Sequence, residues 1–301
     1  VDVYRFGNLK VDLIRELMSY VSSDKPIILG ESATRIIEGE PFLHPQFKNI
    51  MKLLKDKWPD KEIRITTHGG LLNQDMIKFL RKLKPITLNI SLNCPTAEDR
   101  VFLMSDPNPE QVFKGIKLLN ETNITFHGSI VALPHLLGWG SIEETIKLLA
   151  QTECKTVRLF MPGYTKYSNA ELEYFSGLEE KLRQFINQTN KKFKVPVIME
   201  PPYLNDLKPL INGVIKDTPA KKIGLERNDI VKTINGVNPF SRVEAFNKLY
   251  NLSNPELKIK RDNKIYNFNL EKGENETSGV VMNYDLSRDK WLELLNLISL
   301  N

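Results

Sequence analysis

Short apolar runs alternate with amphipathic stretches through the first two thirds of the chain. Pro26–Gly30, Thr34–Glu38, Glu62–Thr67, Ile86–Leu92, Ile124–Leu133, Thr156–Met161 and Val195–Glu200 are rich in β-branched residues and are predicted strands. Between them Lys10–Val21, Gln46–Lys57, Gln74–Leu83, Pro109–Asn120, Ile142–Ala150 and Ala170–Asn190 carry an apolar stripe at helical spacing. Asn108 before Pro109 reads as a cap with a first-turn proline, and Ser141-Ile142-Glu143-Glu144 as a capping box. Strands and helices in strict alternation, about every 30–35 residues, imply βα units and a mostly parallel sheet. The fold class expected is α/β, as a complete or partial (β/α) barrel. A doubly wound sheet is the alternative, but no G-x-G-x-x-G follows a strand.

From about residue 210 the punctuation tightens. Gly213–Lys216, Asp229–Ile234, Leu257–Arg261 and Ile265–Leu270 are short strand candidates, with turns at Asn235-Gly236 and Asp262-Asn263. Thr218-Pro219-Ala220 enters a short helix, and Ser241-Arg242-Val243-Glu244 is a capping box opening a helix to about Leu252. The expected organisation is a barrel-like domain over 1–207, a small α+β domain over 208–272 and a tail over 273–301. The tail carries a Leu-rich amphipathic helix, Asp289–Leu300, expected to dock on its own protein.

Composition is that of an ordinary globular protein: 41% hydrophobic and 26% charged over 301 residues. The 42 basic residues are scattered among 37 acids, which argues against a nucleic-acid groove. No apolar run is long enough to span a bilayer and no secretory signal is visible, so a cytoplasmic protein without membrane partners is expected. Cys94 and Cys154 are the two cysteines, too few for a zinc site or an iron–sulfur cluster.

Candidate chemistry sits in loops after strands, where a βα barrel places its active face. Gly39-Glu40-Pro41 can expose backbone groups to a ligand, and Thr66-Thr67-His68-Gly69-Gly70 allows close backbone approach. Asn89, Ser91 and Asn93 alternate, and so do His127, Ser129 and Val131, so each set is expected on one strand face. Buried polar groups there need partners, which a ribose or water would supply. Met161-Pro162-Gly163-Tyr164 offers flat contacts suited to an adenine.

Together these loops resemble the radical SAM superfamily. Gly39-Glu40-Pro41 resembles the latter part of its Gly-Gly-Glu-Pro motif, with Glu38 where the first glycine is expected. Ile90–Asn93, Arg100, Leu103-Met104, Asn123–His127, Val131, Pro134, Glu144–Ile146 and Pro162–Tyr167 resemble a subgroup that carries a PDZ domain. Thr218-Pro219-Ala220, Gly224-Leu225, Asn228–Val231 and Ile234-Asn235-Gly236 are similar to bacterial PDZ domains. The resemblance implies an enzyme that reduces S-adenosylmethionine (SAM) at a [4Fe–4S] cluster and releases a 5′-deoxyadenosyl radical. It implies SAM contacts at Glu38, Gly39, Glu40, Pro41, Thr67, His68, Ser91, Asn93, Ile130 and Pro162, with His127 near substrate. It also implies an electron donor, and a peptide groove at Val243 and Phe246 for a partner's C-terminus.

The family's Cys-x3-Cys-x2-Cys loop has no counterpart here. The predicted elements begin with a helix and the sequence with Val1, so a strand and its cysteine loop are expected upstream. The alternative is a non-catalytic PDZ-containing scaffold with a degenerate barrel.

Overall fold

Helical and strand periods resolve into alternating βα units in a computed structural model that describes residues 7–21, 25–30, 39–164 and 177–299. The predicted strand Thr34–Glu38 and the start of the predicted helix Ala170–Asn190 lie outside the described residues. Two compact units are present, Val1–Leu182 and Arg183–Asn301. The boundary expected at 207 falls within the second.

The first unit runs α1 (Val11–Leu17), β1 (Ile27–Leu29), α2 (Phe47–Lys57), β2 (Ile63–Thr67), α3 (Gln74–Arg81), β3 (Ile86–Ser91), α4 (Ala97–Met104), α5 (Pro109–Asn120), β4 (Thr125–Val131), α6 (Pro134–Ala150), β5 (Val157–Phe160) and the start of α7 (Leu178–Lys192). With β6 (Val197–Glu200) the strands form a six-stranded sheet in sequence order. The pairs from β1 to β5 are all parallel. That order never reverses, as a doubly wound sheet would, and it accords with a partial barrel.

The two sheet faces differ in chemistry. Ile63, Ile65, Leu88, Ile90, Phe126, Ile130, Val157 and Leu159 are fully buried. They alternate with a second row that the register sets side by side: Arg64 and Thr87, Thr66 and Asn89, Asn89 and His127, Ser91 and Ser129, Ser129 and Arg158. On the apolar face Gly128 lies against Leu149 of α6, and Gly69 (φ +81°) against Val112 of α5. A side chain at either glycine would push the helix off the sheet.

Two local expectations are corrected. Helix α6 begins at Pro134, breaks at Gly138 (φ 78°, ψ 163°) and continues past Ser141, so Ser141 lies inside the helix and does not cap it. Asn108 does occupy the cap position of α5, but its side chain makes no capping bond. Its N–H instead donates to Asp106 Oδ1 at 3.0 Å.

The second unit holds the rest of α7, β6, β7 (Gly213–Val214), α8 (Pro219–Lys222), β8 (Ile230–Ile234), α9 (Arg242–Asn251), β9 (Glu256–Arg261), β10 (Lys264–Asn269), β11 (Val280–Val281) and α10 (Arg288–Ser299). Strands β10, β9 and β8 form an antiparallel sheet, and β11 pairs antiparallel with β7. Asp262 (φ 47°) and Asn263 (φ 63°) turn the β9–β10 hairpin in the left-handed region. Ile211, Ala220, Leu225, Val231, Ile234, Ala245, Leu249, Leu257, Ile259, Leu270 and Val280 form its core. Trp291 of α10 packs its ring 6.5 Å from that of Phe240, while Leu292 and Ile298 stay exposed.

Candidate functional site

Glu40 precedes a single 3-10 turn, Pro41–Leu43, and accepts the Phe42 N–H at 3.3 Å. Its carboxylate is nearly buried and reaches the end of β2. There it accepts the Thr67 hydroxyl at 2.7 Å and the His68 N–H at 2.8 Å, with His68 Nε2 at 3.5 Å. His68 Nδ1 accepts the Gly70 N–H at 3.0 Å, so the neutral ring carries its proton on Nε2, facing Glu40. Thr67 Oγ1 also accepts the Gly69 N–H at 2.9 Å. Thr67 and His68, candidate cofactor residues from the sequence, therefore hold the Glu40 loop to the sheet. Gly39 has open space where a side chain would stand. Glu38 lies outside the described residues.

Behind this loop sits Arg100, which periodicity did not find because α4 has a weak apolar stripe. Thr96 caps that helix, accepting the Asp99 N–H at 3.1 Å. Arg100 is fully buried and donates to His68 O at 2.9 Å, Leu92 O at 2.8 Å and Ser91 O at 3.2 Å. Its guanidinium also pairs with Asp106 at 2.6 and 2.9 Å. One planar cation thus ties the ends of β2 and β3. Burial opposes ionisation of Asp106, but the Asn108 N–H and the Arg100 guanidinium outweigh it and hold its carboxyl below the usual range.

Ser91 and Ser129 sit opposite each other on the polar face, both half-buried. Asn89 donates to Thr66 Oγ1 at 3.4 Å on the same face. Asn93 does not continue that row. It lies beyond β3 with φ 63°, accepts the Val131 N–H at 2.9 Å and donates to Met104 Sδ at 3.3 Å. The left-handed turn breaks the period-two alternation expected from the sequence. Ile130 is fully buried on the apolar face, apart from the polar row, and Pro162 is buried just beyond β5.

His127 lies mid-strand on the polar face, with Nδ1 2.7 Å from Thr156 Oγ1. Burial, with the Arg158 and Arg64 cations, pushes its pKa down to about 4, so the ring is neutral near pH 7. Glu62 closes this end of the face, bonded to Arg64 at 2.8 Å and Thr87 at 2.6 Å.

The residues present do not fit a [4Fe–4S] cluster. Cys94 and Cys154 are both buried, and burial pushes each thiol up to about 12, far from the thiolates such a cluster needs. Among the described residues no group of His, Cys, Asp and Glu could hold a metal ion. Ser91 and Ser129 stand opposite each other on the polar face, and Gly39 has nothing within 4 Å of where a Cβ would stand. In the second unit Val243 is half-buried and Phe246 is exposed on α9. The described residues contain no helix long and apolar enough to cross a membrane.

No curated protein matches the chain. Solved structures that align with it include SuiB of Streptococcus suis, at 19% identity and TM-score 0.46 over 54% of this chain. SuiB bound to precursor peptide SuiA aligns at 18% identity and TM-score 0.48 over 63%. A domain of pyruvate-formate lyase-activating enzyme from Bacteroides vulgatus ATCC 8482 aligns at 16% identity and TM-score 0.43 over 57%, covering 98% of that domain. The chain spans 38% of the first SuiB structure and 40% of the peptide-bound one. Residues 4–149 match the model of the Radical SAM superfamily.

Proposed function

We propose that this chain forms the SAM-binding part of a radical SAM enzyme, with the cluster's thiolates supplied from outside these 301 residues. The observation that carries the reading is the placement of Gly39-Glu40-Pro41, inside the stretch matched by the family. Glu40 is locked to β2 by the Thr67 hydroxyl and the His68 N–H, beside a sheet face bearing Ser91 and Ser129. With its carboxylate so engaged, the loop presents the backbone around Gly39 to a ligand's amino group. Ser91 and Ser129 would bond the ribose and Pro162, just beyond β5, would lie near the adenine, whereas Ile130, fully buried on the opposite apolar face, would not touch the ligand. Asn93 would shape the ribose end through its bond to Val131, and His127 would face substrate as a neutral ring. SAM supplies hydrogen-atom abstraction once a separate donor provides one electron.

The test uses the full-length gene product, loaded anaerobically with iron and sulfide and reduced with dithionite. It should release 5′-deoxyadenosine from SAM, and Glu40→Gln should weaken SAM binding about 10- to 100-fold by loosening the loop it anchors, since a bond to a charged group is worth about 1.5–3 kcal/mol. No 5′-deoxyadenosine above a blank would sink the reading.

A second reading, as a peptide-binding scaffold, draws on α9. Val243, Phe246 and Tyr250 fall on one face of it at i, i+3 and i+7, and the last two are exposed apolar side chains. The segment over 208–272 would then be a PDZ-like domain taking an extended peptide against a strand edge. A bulky charge at Phe246 should weaken binding of a C-terminal peptide library. A library with no binders would remove this role.

A further inference from the structure

Arg158 stands in the middle of β5, on the polar face, opposite Ser129 in the β4 register. Its guanidinium lies over the Phe160 ring, 5.3 Å from the centroid. Its Nε is buried and has no hydrogen-bond partner, and among the described residues no carboxylate pairs with it. Arg64, on the same face but three strands away on β2, is by contrast matched by Glu62. Leaving a buried guanidinium N–H unpaired costs free energy that a ligand could recover. Stacking on a ring fixes the plane of the fork and leaves its edge free for a bidentate acceptor.

We infer that Arg158 is the anchor for a carboxylate on the substrate, with Ser129 and His127 beside it as neutral hydrogen-bonding groups. A single unmatched positive charge suits a monoanion. A phosphate dianion would call for a second free cation, and Arg64 is already engaged. The assignment rests on the radical SAM reading in one respect, the choice of substrate over cofactor as the source of the carboxylate. The methionyl carboxylate of SAM is bonded to the carbon that bears its amino group. If that amino group is held near Glu40 at the end of β2, Arg158 lies three strands away, about 14 Å along the sheet. An arginine side chain does not close that gap.

The test follows the Arg158 Nε–Hε signal by NMR in the 301-residue chain, assigned with Arg158→Lys. N-acetylglycine should shift it saturably. N-acetylglycinamide, which lacks the carboxylate, should not, and inorganic phosphate at matched ionic strength should act more weakly. Arg158→Gln should weaken N-acetylglycine binding about 10- to 100-fold, read from the Ser129 and His127 amides. The amide spectrum elsewhere should stay unchanged, which separates loss of the anchor from loss of the fold. No saturable shift, an equal response to the amide, or a stronger response to phosphate overturns the inference. Competition between SAM and N-acetylglycine for the Arg158 signal would assign the anchor to the cofactor and overturn it as well. SAM binding without any N-acetylglycine effect sinks this inference alone and leaves the cofactor reading standing. N-acetylglycine binding without SAM binding keeps the anchor, and the cofactor reading is then decided by the cluster-loaded full-length protein.

Discussion

At the scale of single residues, two buried groups dominate the sheet. Arg100 neutralises Asp106 and satisfies three carbonyls at the ends of β2 and β3. Replacing it with leucine leaves Asp106 ionised, buried and without its cation. Arg100→Leu should therefore cost about 3–5 kcal/mol in urea denaturation, and Arg100→Lys should recover only part, because an ammonium cannot reproduce the planar fork. His127 is the second group. The unfolded chain takes up its proton below about pH 6.5, whereas the folded protein does so only below about 4. Acidification through that window therefore favours the unfolded state. From pH 7 to pH 5 the loss should be about 2 kcal/mol, and His127→Asn should remove most of it. Glu62 and Asp106, held below their ordinary carboxylate values, contribute stability that is lost only at lower pH, as each titrates. A stability profile from pH 7 to pH 3 separates the two. An unchanged pH 7-to-5 loss in His127→Asn would contradict the assignment.

At the scale of elements, α9 shows how a helix of ten residues is held at both ends. Ser241 accepts the Glu244 N–H at 3.2 Å, the first half of the predicted capping box, while Glu244 reaches one residue past the cap and accepts the Phe240 N–H at 2.9 Å. Asp285, 43 residues on, accepts the N–H groups of Arg242 and Val243 and pairs with the Arg242 guanidinium at 3.2 Å. At the other end the Lys272 ammonium donates to the carbonyls of Tyr250 and Leu252. The first device is local and could be read from four consecutive residues. The other two need the chain to return. Asp285→Ala should cost about 2–4 kcal/mol by chemical denaturation, because it strands two buried N–H groups and leaves Arg242 with Asp206 alone. A loss under about 1 kcal/mol would mean that water replaces the carboxylate at little cost.

At the scale of the molecule, the alternation of periods was enough to place most of the first unit. All the described strands from Ile27 to Glu200 fall within predicted runs, because a strand buried on one face must repeat every second residue. The helix α4 was missed, since it buries little besides Arg100 and so carries no clear apolar stripe. The Gly39-Glu40-Pro41 loop was legible as a motif, but its attachment to Thr67 and His68 was not: a hydrogen bond across 27 or 28 residues leaves no period in the sequence. Asn93 was misplaced for a related reason. Alternation predicts faces only while the backbone stays extended, and one left-handed residue ends it. The unmatched charge of Arg158 was equally hidden, because whether a cation has a partner depends on which strands become neighbours. Sequence by itself determined the elements, the α/β class and the family resemblance, all of which rest on local periods and short motifs. Only the tertiary structure decided which polar groups meet, since burial and pairing are set by residues distant in the chain.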